Sequence, residues 1–296
     1  MKYLSVTEIA KQWEISDRMV RSYCASGRIN GAFLTGKTWN IPEGSIKPVR
    51  ETKEKKSTSM LLTRLREEKS LMLSGGIYHK TQIELTYNSN HIEGSTLTHE
   101  QTRYIFETST IGVNEEGVKV DDIVETANHF KCVDYIIDCA TKPITETMIK
   151  ELHFILKNGT SDSRKEWFLV GEYKKLPNEV GGEKTTSPEK VQQEIKQLLS
   201  TYNKKPVKSF EDILDFHERF ESIHPFQDGN GRVGRLLMFK ECLANNIIPF
   251  IIDEKHKLFY YRGLRAWREE RGYLIDTCAS CQDRFRAWLD YFKIEY

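Results

Sequence analysis

The sequence of 296 residues contains no apolar run long enough to cross a bilayer. Its stretch Ile247-Ile-Pro-Phe-Ile-Ile252 is far too short, and the N-terminus lacks the apolar h-region of a signal peptide. The six cysteines are scattered, which excludes a disulfide-stapled scaffold. Cys278-x-x-Cys281 has no partner pair, so a zinc site is not expected there. No internal repeat is present, and the proline and glycine content carries no collagenous or disordered bias. These absences leave a chain of ordinary globular composition with reduced thiols, no membrane partner and an expected cytoplasmic location. It has room for one large domain and one small one.

Net charge is +1, but the balance is uneven. Residues 1–50 hold eight Lys/Arg against four Asp/Glu, so a polyanion partner is expected for that part alone. Ser5-Val6-Thr7-Glu8 reads as a capping box opening a helix with Ile9, Ala10 and Trp13 on one face. Ser16 caps a second helix, on which Arg18, Arg21 and Ser22 share the face away from Val20 and Cys24. Gly31 to Pro42 alternates around Gly36-Lys37 as a β-hairpin would. Lys47 to Ser59 is charged and nearly without large apolar side chains, and reads as a linker. Helical patterns dominate beyond it. They include a helix from about His79 to Glu93 stopped by Gly94, a long helix over 120–140 and a final helix over 284–291. Trp167 to Tyr173 has strand composition.

The chain is organised around His224-Pro-Phe-Gln-Asp-Gly-Asn-Gly-Arg-Val-Gly-Arg235. Gly229-Asn230-Gly231 allows positive φ and a nest of backbone amides where a helix starts. Arg232 and Arg235 add bidentate phosphate donors. Asp228 is a hard oxygen ligand of the kind that holds Mg²⁺ together with phosphates. His224 is a base that is neutral near pH 7. His217-Glu218 is not a zinc-protease motif, because H-E-x-x-H needs histidine where Glu221 stands. His217 and His153 are therefore read as structural.

The run 224–235 resembles the Fic signature H-x-F-x-[DE]-G-N-G-R-x-x-R at every fixed position. Ser89-x-x-x-Glu93-Gly94 resembles the family's inhibitory motif, and Tyr260-Tyr261 its paired tyrosines beside the adenine. Arg262 to Arg271 departs from members that place an asparagine near the base, so base specificity stays open. Residues 1–48 resemble the winged helix-turn-helix modules of the excisionase and MerR-like group.

The fold these resemblances imply is mainly α. It comprises a winged helix-turn-helix over 1–48, a linker over 49–59, and a Fic-type helical domain over 60–296 with a small β-hairpin flap. The implied activity is transfer of AMP from ATP, with Mg²⁺, to a Ser, Thr or Tyr hydroxyl of a target protein. His224 would be the base and Asp228 the metal ligand. Gly229, Asn230, Gly231, Arg232, Arg235 and Tyr261 would hold the nucleotide, and Glu93 with Ser89 would inhibit. Duplex DNA would meet Arg18, Arg21, Ser22 and Lys37. Two other readings remain open at this point: AMP removal by water with Glu93 as base, and a transcriptional regulator that only senses nucleotide. Self-modification and oligomerisation are compatible with each.

Overall fold

The structure, a computed structural model, describes residues 2–48, 59–112 and 117–296. Apart from Ser59, the expected linker 49–59 lies outside the described residues.

The N-terminal part runs β1 (Tyr3–Leu4), α1 (Val6–Trp13), α2 (Asp17–Ala25), β2 (Phe33–Thr35) and β3 (Thr38–Pro42). Both helix caps form as the sequence predicts. Ser5 and Glu8 make a full capping box, and the Ser16 side chain accepts from the amide of Met19. β2 and β3 pair antiparallel around Gly36-Lys37, with Thr35 opposite Thr38. β1 was not anticipated; it pairs with β3 and completes a sheet of order β1-β3-β2. Val6, Ile9, Trp13, Val20, Ile29 and Ile41 close a small core between the helices and this sheet.

The remainder is almost entirely helical: α3 (Met60–Ser70), α4 (Ile77–Ile92), α5 (His99–Thr108), α6 (Val120–Asp138), α7 (Glu146–Lys157), α8 (Pro188–Asn203), α9 (Phe210–Ile223), α10 (Asn230–Ala244), α11 (Glu254–Arg265) and α12 (Gly272–Tyr291). A short hairpin, β4 (Glu179–Val180) with β5 (Glu183–Lys184), precedes α8. α9 and α10 are antiparallel neighbours at the centre. Phe216, Phe220, Leu236 and Leu237 pack with Val133 and Ile136 of α6 and with Ile149 and Leu152 of α7. The opposite side of α10 packs Met238 and Cys242 against Tyr260, Leu274 and Cys278 of α11 and α12. All six cysteines are buried. Among the described residues no helix is long and apolar enough to cross a membrane.

Two elements differ from expectation. Residues 167–173 form no strand. Gly171 takes φ 79° and donates its amide to His153 Nδ1 at 2.9 Å, while Phe168 is buried. Strand composition there reflects packing demand, and no partner strand is present among the described residues to pair with it. The expected flap hairpin lies further on, at 179–184. The final helix starts at Gly272, well before 284. Its buried stripe of Leu274, Cys278, Cys281, Phe285 and Leu289 is helical in spacing once cysteine counts as an apolar residue.

Candidate active site

The loop 224–229 joins α9 to α10. α9 is set by the Ser209–Asp212 capping box and by its buried Phe216, Phe220 and Ile223. It ends on His224, whose backbone is left-handed at φ 51°, and whose amide donates to Phe220 O at 2.9 Å. A non-glycine residue in that region is strained, and here the strain turns the imidazole out of the helix line. Phe226 is fully buried, its ring stacked 3.9 Å from that of His153. Asn230 closes the loop, its side chain accepting from Phe226 N at 2.8 Å and donating to Phe226 O at 2.9 Å. Gly229, at φ 82°, is the N-cap of α10. The first amides of α10 are thus left at an open helix N-terminus, where they favour an anion.

His224 Nδ1 lies 3.3 Å from Glu221 O. A carbonyl only accepts, so Nδ1 carries the proton and Nε2 keeps its lone pair. Burial first, and the Lys174 cation second, pull the imidazole down to about 4. The ring is therefore an unprotonated base throughout the neutral range.

Asp228 is half exposed. Burial works against its charge, but Arg232 and Lys157 hold it well below the usual carboxylate range. Its Oδ2 accepts from Lys157 Nζ at 2.7 Å and from Arg232 Nη2 at 3.3 Å. Lys157, almost fully buried, also bonds Glu125 at 2.5 Å and Asp162 at 3.0 Å. Arg232 turns inward, paired with Glu125 of α6 as well as with Asp228. It braces the carboxylate from behind instead of facing the open helix end. The half-exposed, ionised Asp228 suits a hard divalent cation. Among the described residues no cluster of three or more metal-ligating side chains exists, so such an ion would draw its remaining ligands from water and phosphate.

On the other side of the loop, Glu93 caps α4 and its Oε1 accepts from Arg235 Nη2 at 2.6 Å. Ser89, one turn earlier, takes the rest of the guanidinium: Oγ accepts from Nε at 3.0 Å, and the carbonyl from Nη2 at 2.9 Å. Arg235 is buried; burial opposes its charge, and the Glu93 carboxylate more than offsets this. A methyl placed on Gly231 would lie 2.3 Å from Glu93 Oε1. The carboxylate therefore lies against the first turn of α10, at Gly231. The paired tyrosines separate: Tyr260 is core, bonded to His217 Nε2 at 2.5 Å, while Tyr261 is 37% exposed.

His153 and His217 are buried and structural, as their sequence context indicates. The residues that sequence reasoning missed are Glu125, Lys157, Lys174 and Glu221. Only Lys157 carries a local signal, one helical turn beyond His153 on α7.

In the N-terminal part Arg21, Ser22 and Lys37 are exposed, Lys37 at the tip of the β2–β3 hairpin. Arg18 is exposed as well, but its guanidinium donates to Ser280 Oγ of α12 at 2.8 Å.

These features define a mainly helical fold in which an unprotonated histidine and a half-exposed carboxylate share the loop that opens α10. Residues 143–242 match the model of the Fic/DOC family. The chain is 28% identical to a Fic domain containing signaling protein from Bacteroides thetaiotaomicron, with a TM-score of 0.58 over 78% of this chain and 90% of that one. Fic-1 from C. elegans shares the fold at 19% identity, with a TM-score of 0.62 over 79% of this chain and 72% of that one. A curated relative named protein adenylyltransferase Fic, from Aedes aegypti, is 30% identical over 196 residues, 63% of this chain. The chain spans 37% of that relative's length.

Proposed function

We propose that this chain is an autoinhibited, Mg²⁺-dependent protein adenylyltransferase that moves AMP from ATP to a Ser, Thr or Tyr hydroxyl of a target protein. The observation that carries the reading is the shared loop, which puts the unprotonated Nε2 of His224 beside the open amide end of α10. Nε2 takes the proton of the target hydroxyl as its oxygen bonds to the α-phosphorus. The bond from that phosphorus to the β-phosphate bridge breaks, and pyrophosphate leaves. The amides of Gly229, Asn230 and Gly231 hold phosphate oxygens at the helix N-terminus. Asp228 would hold the Mg²⁺, which would supply neutralisation of phosphate charge. Arg232 keeps Asp228 oriented, and Arg235 meets the far end of the triphosphate once Glu93 lets it go. Tyr261, partly exposed on α11, offers its ring to the adenine.

The Glu93–Arg235 contact favours inhibition over a role for Glu93 as base in AMP removal. A carboxylate whose Oε1 is engaged by a guanidinium at 2.6 Å is not free to orient an attacking water. Residues 1–48 bind duplex DNA as a winged helix-turn-helix, a reading supported by their two capped helices, hairpin and exposed basic side chains. The scattered, buried cysteines support a reducing, cytoplasmic setting.

The test is incubation of wild-type and Glu93→Gly protein with α-labelled ATP and Mg²⁺, followed by mass spectrometry for AMP on protein. AMP adducts stronger in Glu93→Gly are expected. No adduct on the protein itself or on any cell-extract protein, from either form, would reduce the chain to a nucleotide sensor.

A further inference from the structure

Lys174 follows Tyr173 on the segment that leads into the β4–β5 hairpin, and it is 4% exposed. A buried lysine is normally matched by a carboxylate. This one is matched by neutral oxygens alone. Its Nζ donates to Asn178 Oδ1 at 2.7 Å, to Thr185 Oγ1 at 2.6 Å and to Ile223 O at 3.3 Å. An ammonium has three donors, and three acceptors meet it. Burial without a counter-ion brings it down to about 8.

The acceptors come from both sides of the site. Asn178 and Thr185 are the two ends of the hairpin, tied to each other through Thr185 Oγ1 and Asn178 O at 3.0 Å. Ile223 is the residue before His224. Lys174 N donates to Pro225 O, the residue after it, at 2.9 Å. Two further bonds run the same way, from Asn178 Nδ2 to Phe226 O at 3.0 Å and from Leu176 N to Gln227 Oε1 at 3.3 Å. The hairpin base and the backbone on either side of the imidazole are thus fastened to one residue, by the Lys174 ammonium at Ile223 O and by its backbone amide at Pro225 O.

We propose that Lys174 is a positioning residue that locks the hairpin and His224 into a single unit, so that a polypeptide held along the hairpin meets a base fixed by the same ammonium. The proposal rests on the reading of His224 as the base. The uncompensated charge has a second effect. The ionisable groups facing His224 are Glu221 from α9, Glu93 from α4, Asp228 from the loop and Lys174. Glu93 and Asp228 favour the imidazolium, while Lys174 opposes it and keeps the base free of a proton.

The test uses the full chain and two substitutions, Lys174→Met, which keeps the length and removes the charge, and Lys174→Arg, which keeps the charge. The histidine ¹³Cε1 resonance of His224, assigned by its loss in His224→Ala, is titrated by NMR. In Lys174→Met its midpoint is expected to rise by about one pH unit, while Lys174→Arg leaves it near wild type. Hydrogen exchange of amides 176–186 and 223–227 is expected to rise together by about tenfold in Lys174→Met, the loss of one to two hydrogen bonds. An unmoved midpoint, or looser hairpin amides with 223–227 unchanged, overturns the proposal. Should Lys174→Met not fold, Thr185→Val removes one acceptor and must still raise exchange at 223–227; no rise there overturns it equally. Neither readout uses ATP or a target protein, so their outcome is separate from whether label from ATP reaches protein.

Discussion

Glu93 Oε1 sits 2.6 Å from Arg235 Nη2, and a Cβ built on Gly231 would lie 2.3 Å from the same oxygen. Two effects follow from one carboxylate. In the proposed inhibition the guanidinium is withheld from the triphosphate, and a negative charge is held beside Gly231. Two like charges ~4 Å apart repel by about 4 kcal/mol at an effective dielectric of 20, enough to shift a polyphosphate into a pose the base does not reach.

Glu93→Gly is therefore expected to raise AMP transfer on the order of ten- to a thousand-fold. ATP affinity, measured by calorimetry, should change much less, because the remaining cradle is intact. Adding Arg235→Ala to Glu93→Gly should erase the gain, since the released partner is then missing. Equal transfer by wild type and Glu93→Gly would sink the inhibitory role.

His224→Ala should lower transfer by about 10²–10⁴-fold while leaving ATP binding nearly unchanged, since the imidazole handles the hydroxyl proton and not the phosphates. The pH profile of transfer follows from the imidazole being held down to about 4. Protonation disables the base, and it occurs only below that value. Transfer by Glu93→Gly should thus show no acid limb attributable to His224 between pH 5 and 8. A limb near 6.5 that disappears in His224→Ala would contradict the buried, neutral ring.

The parts of this site that were legible in the sequence are those that act over one or two turns. The loop 224–235, the Ser89–Glu93 spacing and the caps of α1 and α2 are local patterns, and each forms in the structure. Their partners were not legible. Glu125 and Lys157 reach the loop across 107 and 71 residues, from helices whose sequence reads only as amphipathic. Arg232 shows the limit most clearly. Motif position gives its type and spacing, but only the packing of α6 against α10 turns it inward onto Glu125. The segment 167–173 misleads for a related reason, because apolar and aromatic content marks burial as readily as it marks a strand.

Three buried histidines predict the acid response of the fold. His129, His153 and His217 are each pulled down to about 3, with burial as the main cause. Below 6.5 the unfolded chain takes up a proton at each, while the folded chain does not until about 3. The unfolded state then binds more protons, so stability falls as pH falls through this window. Each histidine contributes a slope of at most about 1.4 kcal/mol per pH unit. Urea unfolding between pH 6.5 and 4.5 should show this slope, and His129→Gln should reduce it by about one proton. An unchanged slope in a folded His129→Gln would mean that this ring is solvated.

Glu221 predicts the opposite trend on the alkaline side. Burial pushes its carboxyl up to about 8, against the pull of Arg235, and its Oε1 has no hydrogen-bond partner among the described residues. Between 4.5 and 8 the folded chain holds a proton that the unfolded chain has lost. Stability therefore declines as pH rises across that interval. Glu221→Gln, which cannot ionise, should flatten the decline in thermal melts from pH 6 to 8.5. A decline of the same steepness in that variant would assign it to another group.

The last prediction concerns DNA. Arg21 and Lys37 are exposed, whereas Arg18 bonds to Ser280 of α12. If residues 1–48 bind duplex DNA, each phosphate contact releases counterions and steepens the dependence of affinity on salt. In the full chain, Arg21→Ala and Lys37→Ala should each flatten the log–log salt slope by about one unit. Arg18→Ala should flatten it less, because that side chain already has a protein partner. Ser280→Ala removes the partner, so it should strengthen binding and bring the effect of Arg18→Ala up to that of Arg21→Ala. Electrophoretic mobility shifts on the chain's own promoter region, from low to physiological salt, measure all four. No shift at low salt would leave the basic face without a DNA partner. Equal effects of Arg18→Ala and Arg21→Ala in the presence of Ser280 would show that the bond to α12 does not restrain Arg18.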